Sequence, residues 1–247
     1  MSALNLDTQL NNLQICEAIS PADMMHVEGW KSHYFSVGRS ALRAILAGSF
    51  ARVQYPGADT PIDTILDFGC GHGRVARFLR AGFPEARIDV TDYDPGAVAW
   101  CVEHFGCKGI TEPAPDSYDL IWLGSVFTHL PGSVADTLLA QVSQALKPNG
   151  IILFSIQGRY VRTVQRGRPG YGLSADIIGQ ICDEAEASGY GYADYPGQTN
   201  YGVSIADPAW FQRRMLADGS CMQIIQQERA LDNHQDVLGF IRRGVLM

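Results

Sequence analysis

The stretch Ile65-Leu66-Asp67-Phe68-Gly69-Cys70-Gly71-His72-Gly73-Arg74 constrains the fold more than any other part of the chain. It reads as a short buried strand, a turn with glycine at alternate positions, and the entry to a helix, Val75-Ala76-Arg77-Phe78-Leu79. Glycine there lets the backbone turn sharply and approach a ligand with no Cβ in the way. The first amides of the following helix lack partners within it, so the turn is a natural ligand cradle.

Around this turn the chain alternates strand and helix. The pattern predicts strands over 64–68, 87–91, 118–123 and 151–155, with a minor one near 109–111, and helices over 74–81, 95–104 and 133–146. Ile-, Val- and Leu-rich strands separated by helices argue a parallel sheet covered on both faces, with right-handed crossovers. Before the sheet, Ser20-Pro21-Ala22-Asp23 predicts a helix start, with His26, Trp30, His33 and Tyr34 following at helical spacings. A second helix is expected over 40–50, with Leu42, Ile45 and Leu46 on one face. After the sheet, Ser174 caps a helix that Gly189 ends, residues 189–201 read as irregular chain, and 208–216 as a short helix. The segments 222–229 and 235–242 read as an antiparallel strand pair. This divides a single domain into a helical N-terminal cover (1–60), a cofactor-binding core (61–156), a substrate-facing insertion (157–217) and a closing strand pair (218–247).

Composition narrows the partners. A formal net charge of −7 argues against a nucleic-acid backbone. The six cysteines are scattered without a C-x-x-C pair, so neither a metal site nor a disulfide framework is expected. The first ten residues lack a basic-then-apolar leader pattern, and no apolar run approaches spanning length, so no membrane partner and a cytoplasmic location are expected.

Two ligands fit the glycine turn. Gly71-His72-Gly73-Arg74-Val75-Ala76 matches the dinucleotide fingerprint G-x-G-x-x-G/A, with Asp92 at the expected spacing of about 20 residues. On that reading the chain is an NAD-dependent oxidoreductase. The other reading counts Asp67 with Gly69, Gly71 and Gly73. A carboxylate at the strand end repels a pyrophosphate but suits an amino group and a sulfonium, and Asp92, ending the next strand, suits ribose hydroxyls.

Several motifs in order carry a family resemblance. Residues 65–73 resemble the first motif of the class I S-adenosylmethionine-dependent methyltransferases. Thr91-Asp92-Tyr93-Asp94-Pro95 resembles their second-strand acidic motif. Asp116-Ser117-Tyr118-Asp119-Leu120-Ile121-Trp122 and Ser125-Val126-Phe127-Thr128-His129-Leu130 are similar to the fourth strand and its loop, and Leu146-Lys147-Pro148-Asn149-Gly150-Ile151-Ile152-Leu153 to the fifth-strand turn. His234-Gln235-Asp236-Val237-Leu238 is similar to the last strand of some small-molecule members.

The resemblance implies an α/β, Rossmann-like class I methyltransferase fold: a seven-stranded, mostly parallel sheet with one antiparallel strand and helices on both faces. It implies S-adenosylmethionine as cofactor, with Asp67, Gly69, Gly71 and Gly73 at the methionine part, Asp92 at the ribose and Tyr93 against the adenine. The segment after the third strand is abbreviated, which leaves Asp116 as the candidate for the adenine's other contact. Arg39, after Gly38, is a candidate partner for the methionine carboxylate, or a surface arginine.

His129, in the loop after the fourth strand, is a candidate base or a packed loop histidine. His33 and Tyr34, with His26 and Trp30, are candidates for a catalytic lid or a buried helix face. His72 is expected to point away. Arg159, Arg162 and Arg166 recur on one helical face, so the small-molecule acceptor includes an anionic one among its candidates; a solvated basic face is the other reading. Tyr171, Tyr190, Tyr192, Tyr195 and Tyr201 would line a sugar or aromatic pocket, or a loop-rich surface. Oxygen (a sugar, glycan or natural-product hydroxyl) is the expected target, since the chain lacks an Asn-Pro-Pro-Tyr-type motif for base amines. A non-catalytic cofactor-binding scaffold is the remaining alternative.

Overall fold

A computed structural model describes residues 8, 10 and 12–244. Helix α1 (Lys31–Arg52) precedes β1 (Thr64–Phe68), α2 (Ala76–Gly82), β2 (Arg87–Thr91), α3 (Pro95–Phe105), β3 (Lys108–Gly109) and β4 (Tyr118–Leu123). A 3-10 turn (Phe127–His129), α4 (Gly132–Gln144) and β5 (Leu146–Ile156) follow. The chain then runs through α5 (Arg159–Gln165), α6 (Ala175–Ser188), β6 (Tyr190–Asp194), β7 (Gly202–Ala206), α7 (Pro208–Met215), β8 (Cys221–Leu231) and β9 (Gln235–Arg242).

Seven strands form one sheet in the order β3-β2-β1-β4-β5-β9-β8. The pairs from β3 through β5 are parallel, while β9 runs antiparallel to both neighbours. Because Ile156 pairs with Asp236, the tip of the β8–β9 hairpin lies at the same edge as the C-terminal ends of β1, β2, β4 and β5. Every loop of the candidate site leaves the sheet at that edge. One face packs on α1 through Ile45, Ile65, Leu120, Trp122 and Leu153. The other packs on α4 and α7 through Leu66, Ile121, Phe154, Leu139 and Phe211. Segment 157–217 has its own small core, with Val161, Ile178, Ile181, Val203 and Ile205 buried.

The sheet strands lie where the sequence pattern puts them, but two segments differ. The expected helix from Ser20 does not form: Ser20 Oγ accepts the Ala22 N–H (3.2 Å) and Asp23 Oδ1 the Met25 N–H (2.9 Å). Such side-chain turns compete with the helix for its own amides. The helical pattern begins at Lys31 instead and continues unbroken through 40–50. Gly38 and Gly48 let α1 lie close: a Cβ would stand 2.5 Å from Phe78 of α2 and 2.5 Å from Leu153 of β5, respectively.

The second difference is at 190–206, expected to be irregular. It forms the antiparallel hairpin β6–β7. Its Gly and Tyr content reads as loop, yet Gly191 is there for packing, since a Cβ would collide with the Ile181 carbonyl of α6.

Candidate cofactor and acceptor site

The cradle is built at the ends of β1 and β2. Gly69 (φ 75°), Gly71 (φ 49°) and Gly73 (φ 81°) all adopt left-handed backbone. The Gly69 and Cys70 amides both donate to the Thr91 carbonyl (2.8 and 3.2 Å), which pins the turn to β2. Gly71 N–H donates to Asp92 Oδ2 (2.8 Å) and Asp94 N–H to Asp92 Oδ1 (3.0 Å), so both carboxylate oxygens are held while keeping lone pairs for a ligand. At Gly73 no side chain is tolerated: besides its φ, a Cβ would strike the Phe105 ring of α3.

Asp67 is the unusual member. It is 2% exposed, and its Oδ2 has no hydrogen-bond partner. Burial, and then the neighbouring Asp92, push its pKa up to about 7. A lone buried carboxylate is costly unless paired with a cation. Two carboxylates at one turn repel a pyrophosphate and attract an ammonium or sulfonium. The cradle therefore fits the amino-acid end of S-adenosylmethionine and not a dinucleotide's diphosphate.

Two arginines face the seam between α1 and α2. Arg39 keeps a buried Nε without a hydrogen-bond partner, its guanidinium 5.9 Å from the Phe78 ring. Arg74, which the sequence reading passed over, lies half-buried where the cradle enters α2, 5.8 Å from the Tyr34 ring. Its burial lowers its pKa. Its position directly after Gly73 was the available signal. Tyr93 stands at the lip, 88% exposed and 6.3 Å from the Tyr201 ring.

Asp116 lies elsewhere. It precedes β4, at the opposite edge of the sheet from the cradle, where Arg242 and the Gln144 carbonyl hold it. The expectation of an adenine contact is thereby corrected: a residue entering a strand cannot reach a ligand at the strands' C-terminal ends. Ile110 and Thr111, not Asp116, leave β3 at the cradle edge.

Tyr34 is corrected too. Only 1% exposed, it donates to Asp23 Oδ2 (2.6 Å) and accepts from Arg77 Nη2 (3.3 Å). Burial, and then the bond to Asp23, raise its pKa far above the ordinary tyrosine value, so it is structural rather than a base. Arg77, itself 1% exposed, binds the Gly73, Cys16 and Ala18 carbonyls (3.0, 2.9 and 2.7 Å) and so ties the cradle to the N-terminal segment. His33 is exposed, with Nε2 3.6 Å from Asp232 Oδ2 at the hairpin tip. His72, within the turn, is half-buried.

The acceptor end lies over β4, β5 and the hairpin tip. His129 Nδ1 is 2.9 Å from the Gly202 carbonyl, an acceptor only. That contact assigns the proton to Nδ1 and leaves Nε2 with a free lone pair. Burial lowers the His129 pKa, which keeps the ring neutral. Tyr201 stacks on this ring (5.2 Å between centroids) and the Tyr195 hydroxyl is 3.3 Å from Nδ1. The Tyr171 hydroxyl meets His234 Nε2 at 2.8 Å. Burial raises the Tyr171 pKa to about 12 and lowers that of His234. These rings form an aromatic cluster rich in hydrogen-bonding groups. Tyr190 and Tyr192 do not contribute: the first bonds the Leu130 carbonyl (2.7 Å) and the second Asp194.

The arginine face is engaged elsewhere. Arg159 pairs with Glu228 (3.0 Å), and Arg166 with Asp183 and with Glu186 (2.7 Å). These pairs are solvent-exposed, which favours the solvated basic-face reading for Arg159 and Arg166. Among the described residues no cluster of three His, Cys, Asp or Glu could hold a metal ion, and no helix is long and apolar enough to cross a membrane.

Residues 66–152 match the family model described as a methyltransferase domain. That segment, about a third of the chain, is similar to methyltransferase domains. The chain's sheet is that of the class I S-adenosylmethionine-dependent methyltransferases: an S-adenosylmethionine-dependent methyltransferase of Clostridium acetobutylicum superposes with a TM-score of 0.54 over 86% of this chain and 99% of that one, at 12% identity. Among curated proteins, a malonyl-[acyl-carrier protein] O-methyltransferase of Halalkalibacterium halodurans is 28% identical over 191 residues, 72% of this chain and 62% of that protein. Human N-terminal Xaa-Pro-Lys N-methyltransferase 1 is 35% identical over 99 residues, 36% of this chain and 44% of that protein. The chain spans about half the length of the curated relatives it matches, from 44% to 62% of the first four. The matched residues include the cradle, His129 and most of the first five strands; Tyr171, Tyr195, Tyr201 and the β8–β9 hairpin lie outside them.

Proposed function

We propose that this chain binds S-adenosylmethionine and methylates a small, uncharged acceptor at oxygen. The observation that carries the reading is the orphaned Asp67 carboxylate, buried beside Asp92 in a cradle that needs a cation. S-adenosylmethionine supplies an electrophilic methyl group when bound. Asp67 would pair with its ammonium, Asp92 would accept the ribose hydroxyls, and Arg74 or Arg39 would meet its carboxylate. The glycines at 69, 71 and 73 permit the close approach.

The protein's part in the reaction is alignment and proton removal. Holding acceptor and donor in line is worth about 7–11 kcal/mol of barrier. His129 Nε2, with its proton held on the opposite nitrogen, is the group that takes the hydroxyl proton; a positioned base contributes roughly 10²–10⁴-fold. His33, exposed beside Trp30 and Asp232, is better suited to a cover over the site than to the chemistry. The aromatic cluster and the paired arginines support a neutral acceptor over an anionic one.

Titration calorimetry of the purified protein with S-adenosylmethionine, its demethylated product and NAD tests the cofactor assignment. Binding of the first two and loss of at least tenfold in affinity in Asp92→Ala is the expected result; binding of NAD alone would overturn it. Turnover of a hydroxyl acceptor, followed by mass, separates an enzyme from a binding scaffold. Turnover of amines alone would move the target atom to nitrogen.

A further inference from the structure

The C-terminal ends of β4, β5 and the start of β9 share one hydrogen-bond network. The Ser125 amide donates to Ser155 Oγ (2.7 Å), so the Ser155 proton is free for another acceptor. Ser155 Oγ gives it to Gln235 Oε1 (2.7 Å), and Ser125 Oγ donates to the same oxygen (3.1 Å). In this carboxamide orientation the carbonyl of Gln235 accepts from both serines. Its two N–H bonds meet no protein acceptor among the described residues, although the side chain is half-buried.

The network is held in a strained form. Ser125 has φ 60°, a left-handed conformation that costs a non-glycine residue roughly 1 kcal/mol or more. Its turn is closed by Thr128 Oγ1 donating to the Ser125 carbonyl (2.6 Å) and His129 N–H to the Val126 carbonyl (3.1 Å). Ser125 and His129 thus stand on one tight turn. Even a fully extended chain of that length would separate their Cα atoms by no more than about 14 Å, so both side chains leave one short turn at the same edge of the sheet.

We infer that Gln235 is an acceptor-recognition residue, its N–H pair aimed by Ser125 and Ser155 at a lone-pair oxygen of the acceptor. The acceptor class is then a neutral molecule with a second oxygen close to the methylated hydroxyl: a diol, a sugar ring, a catechol or a hydroxyketone. This rests on the methyl-transfer reading above. A carboxamide N–H cannot bind an ammonium, which has no lone pair, and it leaves a carboxylate's charge unpaired.

The test is a panel of methyl glycosides, catechols, monohydric alcohols, carboxylates and primary amines, each supplied with S-adenosylmethionine and read by mass. The wild type should turn over neutral two-oxygen acceptors. Gln235→Leu should raise KM for them at least tenfold. Gln235→Glu keeps an acceptor for both serines, loses the N–H pair and should raise KM comparably, with cofactor affinity within twofold of wild type in both. Turnover confined to monohydric alcohols, carboxylates or amines, no turnover of any two-oxygen acceptor, or an unchanged KM in Gln235→Glu would overturn the inference. Calorimetric binding of the cofactor in the same preparations marks any of these as a failure of the Gln235 inference rather than of the cofactor reading.

Discussion

The two ends of the site solve recognition differently. On the proposed reading the cofactor end is made mainly by one continuous stretch, 64–94, and works by charge: two acidic side chains on a turn where a Cβ at Gly69 or Gly73 would collide with Val126 or Phe105. The acceptor end draws on 125–129, 155, 171, 195–202 and 234–235, and works by oriented hydrogen bonds between uncharged groups. Charge tolerates displacement because it falls off slowly, whereas a hydrogen bond weakens steeply with distance and angle. The cofactor end can therefore rest on a loop, while the acceptor end is braced by strands, a hairpin tip and an aromatic wall.

If the contrast holds, the largest effect comes from the backbone of the cofactor end. Gly73→Ala combines a left-handed φ with a collision against Phe105 and should cost at least about 3 kcal/mol, lowering Tm by roughly 6–12 °C and abolishing cofactor binding. Calorimetry and a thermal melt check both. A near-normal melt would show that α3 moves aside easily.

His129→Ala should cut turnover about a hundredfold with cofactor affinity within twofold. Because burial lowers the His129 pKa, the acid limb of kcat should fall below pH 6.5, the ordinary histidine value. A parallel loss of cofactor affinity would erase the division between the two ends.

Asp67 predicts a pH effect of opposite character. Between the ordinary aspartate pKa of about 4 and its raised value of about 7, the cofactor-free folded protein keeps a proton that the unfolded chain has released. Its stability should therefore fall as pH rises through that window, by up to about 1.4 kcal/mol per unit, while cofactor affinity rises. Asp67→Asn should flatten the slope in chemical denaturation; an unchanged slope would place the titration elsewhere.

The smallest effects belong to the arginine face. Arg159→Ala and Arg166→Ala break exposed, solvent-screened ion pairs and should leave the melting temperature close to that of the wild type. Acceptor KM should stay put, and a rise of tenfold would restore an anionic acceptor.

The cofactor end was legible because strand, turn and acids are local: Asp67, the three glycines and Asp92 lie within 26 consecutive positions, 67–92, and their spacing encodes their geometry. Asp116 failed because sequence order gives the strand but not which of its ends faces the ligand. Tyr34 failed for a different reason. Its helical neighbours suggested a lid, and only the structure brings Asp23 and Arg77 to its hydroxyl. Gln235 lies 80 positions from Ser155 and 110 from Ser125, a contact that no local pattern can announce. The β6–β7 hairpin was hidden because glycine, which weakens a strand by propensity, was selected there for helix packing.

The placement of β9 between β5 and β8 orders the events of synthesis. A ribosome delivers β8 before β9, yet β8 touches the sheet only through β9. Residues 221–231 therefore have no ladder to join until 235–242 have emerged, and the two must dock as a preformed pair. The cofactor cradle can close on the nascent chain long before that moment, because its parts are early and local. The chain would thus hold the methyl donor's site before it holds Gln235, and acceptor selection is the last competence it acquires.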